Sequence, residues 1–194
     1  MTWDDVSEQD LRFQKGRLEV ICGSMFSGKT EELIRRIKRA EFARQRIMVF
    51  KPAVDTRYSE EQIVTHYGRG IQALLIKKPS QILAYASNTQ VVGIDEAQFF
   101  DKELLEVCEE LVRNYKIRVI LAGLDMDYKG RPFGIMPTLL AQADFVTKVH
   151  AICLQCADTA LYSHRIEGGN KLIEIGETDK YIPLCRACFY KQNN

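Results

Sequence analysis

The chain of 194 residues carries 27 Lys and Arg against 26 Asp and Glu, so its formal net charge is only +1. This balance gives no overall attraction to nucleic acid or to an anionic membrane, and any bound anion must be held locally. No apolar run approaches the roughly 18 to 20 residues of a membrane span, and Met1–Lys15 is polar and acidic. We therefore expect a cytoplasmic protein without a membrane partner, built from one main domain and a small second one.

Four apolar runs predict buried strands: RLEVIC (17–22), RIMVFK (46–51), QVVGID (90–95) and IRVILAGL (117–124). These runs do not alternate with polar residues, which is typical of parallel strands that are covered on both faces. Amphipathic stretches at 30–43 and 102–115 lie between the runs and predict crossover helices. The sequence therefore predicts an α/β fold with a parallel sheet flanked by helices.

The segment GSMFSGKT follows the first predicted strand and precedes the first predicted helix, where the pattern GxxxxGK[ST] has structural meaning. Its eight residues are Gly23, Ser24, Met25, Phe26, Ser27, Gly28, Lys29 and Thr30. The glycines allow positive φ, so backbone N–H groups and the positive end of the helix form an anion site. Lys29 is expected to contact the β and γ phosphates of ATP, and Thr30 to bring its hydroxyl to Mg²⁺. The motif makes the predicted sheet P-loop NTPase-like.

Acidic residues follow the third predicted strand in VVGIDEAQFF. Asp95 lies at the strand end, a usual place for a carboxylate that holds Mg²⁺, and Glu96 points the other way if the strand persists. A capped strand end with one solvated acid is the alternative. Asp55 and Arg57 follow the second strand and fall at the same edge, where they are candidates for the metal's water shell and for phosphate charge. An ordinary polar turn explains those two equally well.

Two CxxC pairs, Cys153 with Cys156 and Cys185 with Cys188, predict one tetrahedral Zn²⁺ site. Four thiolates leave no position for water, which favours a structural ion over a catalytic one. A redox-active dithiol is the alternative, although neither pair opens a helix of a thioredoxin-like unit. We predict an α/β nucleotide-binding domain at 1–150 and a zinc-binding domain at 151–194.

Taken together, the motifs resemble those of the type II thymidine kinases, a zinc-containing family, from about Gly16 to Lys191. The resemblance rests on GSMFSGKT, KPAVDTRY, GIDEAQFF, LDMDYKGRPFG, the two CxxC pairs and IGETDKYIPLCRACF. It implies a transferase that moves the γ-phosphoryl group of ATP to the 5′-hydroxyl of thymidine, in pyrimidine deoxynucleoside salvage for DNA synthesis. It implies Glu96 as the catalytic base, with Asp95 and Gln98 near the metal and nucleotide. A homotetramer and feedback inhibition by dTTP are also implied.

The resemblance further implies that the loop between the cysteine pairs is a lasso that closes over thymidine. The nucleoside contacts that it implies are Met25, Phe99, Leu124, Tyr128, Phe133, Ser163, Ile173, Ile175, Gly176 and Tyr181. Without the resemblance, we would assign the apolar members of this set to core packing. Because the phosphate loop belongs to the other domain, we expect loss of the metal to raise the KM for thymidine far more than the KM for ATP.

Two other classes of function fit parts of the sequence. DEAQ resembles a helicase acidic box and zinc ribbons often contact nucleic acid, so a nucleic-acid-stimulated ATPase is one alternative. The chain shows neither a second motor domain nor a basic stripe, which argues against it. A nucleotide-sensing module without chemistry is the other, and Glu96 beside Asp95 favours an enzyme over it.

Overall fold

A six-stranded parallel sheet forms the centre of the computed structural model, which describes residues 15–53, 62–64, 70–166 and 180–193. Its strands are β1 (Arg17–Cys22), β2 (Ile47–Pro52), β5 (Leu74–Ile76), β6 (Val91–Ile94), β7 (Arg118–Gly123) and β8 (Phe145–Lys148). They lie in the order β5-β2-β6-β7-β1-β8, and every pairing is parallel. The four predicted strands are confirmed to within one residue at each end. Since β6, β7, β1 and β8 are neighbours, the segments that follow them meet at one edge.

Helices cover both faces of this sheet. They are α1 (Lys29–Phe42), α2 (Glu103–Arg113) and α3 (Met136–Gln142), with 3₁₀ segments at Pro79–Asn88 and Ala97–Phe99. A fourth helix, α4 (Arg186–Asn193), packs with the short strands of the C-terminal region. The apolar stripe of α1, which includes Leu33 and Ile37, packs on the face that carries Ile21 of β1. Leu104 and Leu111 of α2 pack with the opposite face. The predicted three-layer α/β architecture is therefore confirmed, and each fully buried large apolar side chain stabilises it by roughly 1.5 to 3 kcal/mol.

Short strands and a small hydrophobic cluster follow the sheet. The strands β9 (Ala151–Ile152) and β10 (Thr159–Ala160) pair antiparallel, as do β11 (Tyr162–Arg165) and β12 (Tyr181–Leu184). Their cluster is centred on Tyr162 and Phe189, whose rings stack with centroids 4.3 Å apart. The change from long parallel to short antiparallel strands agrees with a second module, while its boundary at residues 150 and 151 stays a prediction.

One further antiparallel pair, β3 (Gln62–Val64) with β4 (Gly70–Gln72), is separate from the main sheet. Among the helices in the described part of the chain, none has the length and apolar character needed to cross a membrane.

Candidate active site and metal centre

The phosphate loop connects β1 to α1, where the sequence predicts it. Gly23 opens the loop with φ 148°, and a Cβ there would lie 2.1 Å from the Val149 carbonyl oxygen, so no larger residue fits. Gly28 closes the loop with φ 83° in open surroundings, and its carbonyl accepts a 3.0 Å hydrogen bond from Glu32 N–H in the first turn of α1. The chain therefore turns sharply enough to place the helix N-terminus at the sheet edge, which is the arrangement that binds phosphates.

The cation and the hydroxyl of the motif both face this loop and its neighbouring strand. Lys29 Nζ donates a 2.7 Å hydrogen bond to the Ser24 carbonyl, and Thr30 Oγ1 donates a 3.1 Å bond to Asp95 Oδ2. Asp95 follows β6, so the motif and the predicted metal ligand are in direct contact. A hydroxyl beside a carboxylate is an oxygen donor pair suited to Mg²⁺.

Charges in this site act on one another. Burial lowers the pKa of Lys29, and the carboxylates of Glu96 and Asp95 oppose that effect. Burial, and then the charge of Glu96, raises the pKa of Asp95 well above its usual range. Hydrogen bonds from the Glu96 N–H and the Thr30 hydroxyl, together with the charge of Lys29, lower it by less. A cation bound at Asp95 would favour the ionised form of its carboxyl, so the residues present fit a metal-nucleotide complex.

Glu96 has a left-handed backbone, with φ 52° and ψ 42°. Because β6 ends at Ile94, the strand alternation does not reach Glu96, so the condition for the expected side-chain direction is not met. Its N–H donates to Asp95 Oδ1 at 3.0 Å, and its carbonyl accepts from Phe99 N–H at 3.1 Å. A non-glycine residue in this conformation costs about 1 to 2 kcal/mol, and such strain concentrates at functional sites.

Gln98 holds the Glu96 carboxylate. Its buried amide nitrogen donates to Glu96 Oε2, and its amide oxygen accepts a 3.0 Å hydrogen bond from Leu124 N–H at the end of β7. The expected place of Gln98 near the metal and nucleotide stays a prediction. In the structure its amide links the candidate base to a strand end, which fixes the orientation of Glu96.

The predicted nucleoside contacts that the structure describes lie on the phosphate loop, the 3₁₀ segment after β6, the segment after β7, and the paired strands β11 and β12. Phe99 and Phe133 meet edge to face with ring centroids 6.0 Å apart, and Met25 N–H donates to Ser163 Oγ at 2.9 Å. Tyr128 and Tyr181 contact the same side chain, Arg165. The remaining predicted site residues, Asp55, Arg57, Ile173, Ile175 and Gly176, lie outside the described residues.

Sequence reasoning missed two charged features of the site. Asp125 follows β7 and forms a 2.7 Å ion pair with Lys148 at the end of β8, so the pair spans the end of β1 beneath the phosphate loop. The strand-end rule that found Asp95 would have found Asp125 as well. Arg165, by contrast, lies in an unremarkable stretch of the sequence, and no motif marks it.

The four paired cysteines form one cluster, with all ligand sulfurs within 4.8 Å of one another. Cys156 Sγ lies 3.6 Å from Cys185 Sγ, close to the edge of about 3.8 Å that a tetrahedron has when Zn–S is 2.3 Å. Burial opposes ionisation of Cys153, but backbone N–H groups, first that of Cys185, outweigh it and lower the pKa of Cys153. The cluster can therefore hold a metal ion.

The two isolated thiols differ from this cluster. Burial raises the pKa of Cys22 to about 11 and that of Cys108 to about 12. Among the described residues, neither thiol belongs to a group of three or more side chains that could hold a metal ion. Cys22 and Cys108, both buried in the apolar core, are therefore packing residues.

The small hydrophobic cluster that includes two of the paired cysteines contacts the phosphate loop. Phe26 of the loop packs against the small hydrophobic cluster that contains Cys153, Cys185 and Tyr162. The residue before it in the loop, Met25, is hydrogen-bonded to Ser163 on β11. The expectation that loss of the metal affects mainly the KM for thymidine stays a prediction, and this packed contact favours an effect on the KM for ATP as well.

Comparison with known proteins agrees with this geometry. A family model described as thymidine kinase matches residues 16–189. A thymidine kinase of Bacteroides thetaiotaomicron is 60% identical over 92% of this chain and 89% of its own, and one of Porphyromonas gingivalis (strain ATCC 33277) is 51% identical over 92% and 87%. Among solved structures, the genome packaging NTPase B204 of Sulfolobus turreted icosahedral virus 2 in complex with sulfate is 16% identical over 71% of this chain and 75% of its own. Its TM-score of 0.46 is too low to support a conclusion about the fold. The family match and the level of identity show that the chain belongs to the thymidine kinase family.

Proposed function

We propose that this chain transfers the γ-phosphoryl group of ATP to the 5′-hydroxyl of thymidine, giving dTMP and ADP. The observation that carries the proposal is the meeting of Lys29 and Glu96 at one sheet edge in a chain of this family. Thr30, the neighbour of Lys29, donates a 3.1 Å hydrogen bond to Asp95, the neighbour of Glu96. Burial lowers the pKa of Lys29, and Glu96 is the carboxylate that opposes this lowering most strongly. A phosphate-binding cation and an acid in electrostatic contact are the two groups that transfer to a hydroxyl requires.

Glu96 is proposed as the general base. A carboxylate within hydrogen-bond reach of the 5′-hydroxyl accepts its proton as the P–O bond forms, which contributes roughly 10² to 10⁴-fold to the rate. Gln98 keeps the carboxylate in one orientation through its bond to the Leu124 backbone. Lys29 stabilises the negative charge on the phosphoryl oxygens, and we propose the same role for Arg57.

Two metal ions belong to the proposal. Thr30 and Asp95 would hold Mg²⁺, and Asp55 would join its water shell; the ion supplies charge neutralisation at the phosphates. Cys153, Cys156, Cys185 and Cys188 would hold Zn²⁺, which is the metal that four thiolates at tetrahedral spacing favour. With four sulfur ligands the zinc site has no open position, so its role is structural.

Recognition of thymidine is proposed to involve the aromatic residues Phe99, Tyr128, Phe133 and Tyr181, together with Leu124 and the lasso residues Ile173, Ile175 and Gly176. Backbone groups of the lasso can match the hydrogen-bonding edge of thymine. A buried polar group left without a partner by cytosine costs about 1 to 3 kcal/mol, which is enough for strong selection.

Regulation and assembly follow from the same proposal. The inhibitor dTTP carries both a nucleoside and a triphosphate, so one molecule can occupy the nucleoside and phosphate subsites together. A homotetramer is part of the proposal, and its interfaces would cover exposed apolar side chains such as Phe42, which is 94% exposed, and Phe145 on the edge strand β8. The six cysteines are free, which supports the proposed cytoplasmic location. Pyrimidine deoxynucleoside salvage is the proposed role of the reaction there.

The test is phosphate transfer from ATP with thymidine, cytidine or single-stranded DNA as the only addition. We expect rapid transfer to thymidine alone. Glu96→Gln should lower turnover by roughly 10²-fold or more while nucleotide binding persists. Glu109→Gln on the exposed side of α2 is the matched control and should leave turnover unchanged. ATP hydrolysis stimulated by DNA, without transfer to thymidine, would refute the proposal.

A further inference from the structure

Arg165 connects the two parts of the molecule through a pair of tyrosines. It ends β11, and its guanidinium carbon lies 3.7 Å from the ring centroid of Tyr128, on the segment that follows β7. Its Nε and Nη2 donate hydrogen bonds of 3.0 and 2.7 Å to the hydroxyl of Tyr181 on β12. One side chain therefore contacts a tyrosine of the α/β core and a tyrosine of the C-terminal strands.

The chemistry of this contact requires arginine. A guanidinium is planar, so its face stacks on one ring while the N–H groups on its edge donate to a second group. A lysine carries a point charge on a flexible stem and cannot do both in one fixed geometry. Tyr181 is only 6% exposed, and a buried phenol needs a hydrogen-bond partner. Arg165 is that partner and donates two hydrogen bonds to the phenol oxygen.

The surroundings keep this arrangement rigid. Arg165 and Tyr181 are opposite each other in the β11–β12 ladder, and Ile166 N–H donates to the Lys180 carbonyl at 2.8 Å just beyond them. On the other side, a Cβ placed on Gly130 would lie 3.0 Å from the ring of Tyr162. The segment that carries Tyr128 is thus packed directly on the C-terminal strands, so the position of Arg165 fixes how the two tyrosines lie relative to each other.

We infer that Arg165 is a positioning residue for nucleoside binding, which sets the relative placement of Tyr128 and Tyr181. The inference rests on the proposed function, in which both tyrosines contact thymidine. Arg165 acts through the tyrosines rather than by contact with the phosphates, so its loss affects the KM for the nucleoside and spares both the KM for ATP and kcat.

The experiment compares steady-state kinetics of the wild type with Arg165→Gln, Arg165→Lys, Tyr181→Phe and the Arg165→Gln/Tyr181→Phe double variant. Arg165→Gln should raise the KM for thymidine about 10-fold, the size expected from losing one stacked, hydrogen-bonded contact. Arg165→Lys should recover little of this, because charge alone does not reproduce the contact. The double variant should be barely worse than the poorer single variant, because both changes break one interaction. Arg113→Gln, whose side chain is 75% exposed on α2, is the matched control.

Three results would overturn the inference: an unchanged KM for thymidine in Arg165→Gln, full recovery by lysine, or effects that add in the double variant. If Arg165→Gln does not fold, as judged by its thermal unfolding, Arg165→Lys and Tyr181→Phe decide the question by the same KM comparison. Failure of the wild type to phosphorylate thymidine would instead refute the proposed function, so the two failures are distinguishable.

Discussion

The backbone N–H of Met25 donates a 2.9 Å hydrogen bond to the hydroxyl of Ser163, so a strand of the C-terminal region anchors the phosphate loop. Ser163 is only 4% exposed, and the next residue of the loop, Phe26, packs against the cluster that contains Cys153. A phosphate loop works by holding its N–H groups in place before the ligand arrives. The C-terminal region therefore helps to preorganise ATP binding.

Ser163→Ala tests this anchor. Loss of one hydrogen bond costs about 0.5 to 1.5 kcal/mol, so the KM for ATP should rise roughly 2- to 10-fold. Ser163→Thr retains the hydroxyl and should stay close to the wild type. The measurement is the KM for ATP at saturating thymidine, with thermal unfolding as the check on folding. An unchanged KM for ATP in Ser163→Ala would show that the loop keeps its shape without the bond.

Loss of the metal should weaken the binding of both substrates. Cys153→Ser removes one of four thiolates, and a bound metal would no longer hold together the small hydrophobic cluster that contains Cys153 and packs on Phe26. We expect bound zinc to fall and the KM values for thymidine and ATP to rise together. Elemental analysis and both KM values measure this.

Cys108→Ser is the control for the metal experiment, because that thiol is buried in α2 away from the cluster. It should leave zinc content unchanged. A Cys153→Ser protein that keeps its zinc would exclude Cys153 as a ligand. A rise in the KM for thymidine alone would contradict the expected effect on ATP, and would show that the metal supports only nucleoside binding.

Local sequence patterns were sufficient to predict the fold, the place of the phosphate loop between β1 and α1, and the grouping of the four paired cysteines. Residues close together in the sequence form the apolar strand runs, the GxxxxGK[ST] loop and the CxxC pairs. These features could therefore be recognised from the sequence alone. Contacts such as Met25 with Ser163 join residues 138 positions apart, and no pattern in one sequence specifies them. The left-handed backbone of Glu96 was missed because the strand was expected to continue to residue 95, whereas it ends at Ile94.

Glu19 on β1 is the centre of a buried charge network away from the site. It is 5% exposed and accepts hydrogen bonds from Arg17 and Arg118 at 2.7 Å and from Arg36 at 2.8 Å. Burial would raise the pKa of Glu19, but the arginines, first Arg118, outweigh it and lower the pKa to about 2. We expect Glu19→Gln to destabilise the protein by about 3 kcal/mol at pH 7.

The pH dependence of this effect follows from the sign of the shift. Because the folded pKa of Glu19 lies below its unfolded value of 4.5, the stabilisation is complete above that value. It is lost as the pH falls from 4.5 towards 2, so the gap between wild type and Glu19→Gln should narrow over that range. Urea unfolding at pH 7 and at lower pH measures the gap. Glu109→Gln, in an exposed pair with Arg113, should change stability by no more than about 0.5 kcal/mol.

The two glycines of the phosphate loop should differ in their tolerance of alanine. At Gly28 the added Cβ meets nothing closer than 3.9 Å, so Gly28→Ala carries only the left-handed backbone cost of about 1 to 2 kcal/mol. At Gly23 the Cβ would lie 2.1 Å from the Val149 carbonyl oxygen. That carbonyl cannot easily move away, because Val149 N–H is bonded to the Cys22 carbonyl at 2.8 Å beside β1. Gly23→Ala should therefore lose well over 3 kcal/mol or fail to fold. Urea unfolding without nucleotide separates this loss of stability from effects on ATP binding, and equal losses for the two variants would contradict the steric account of Gly23.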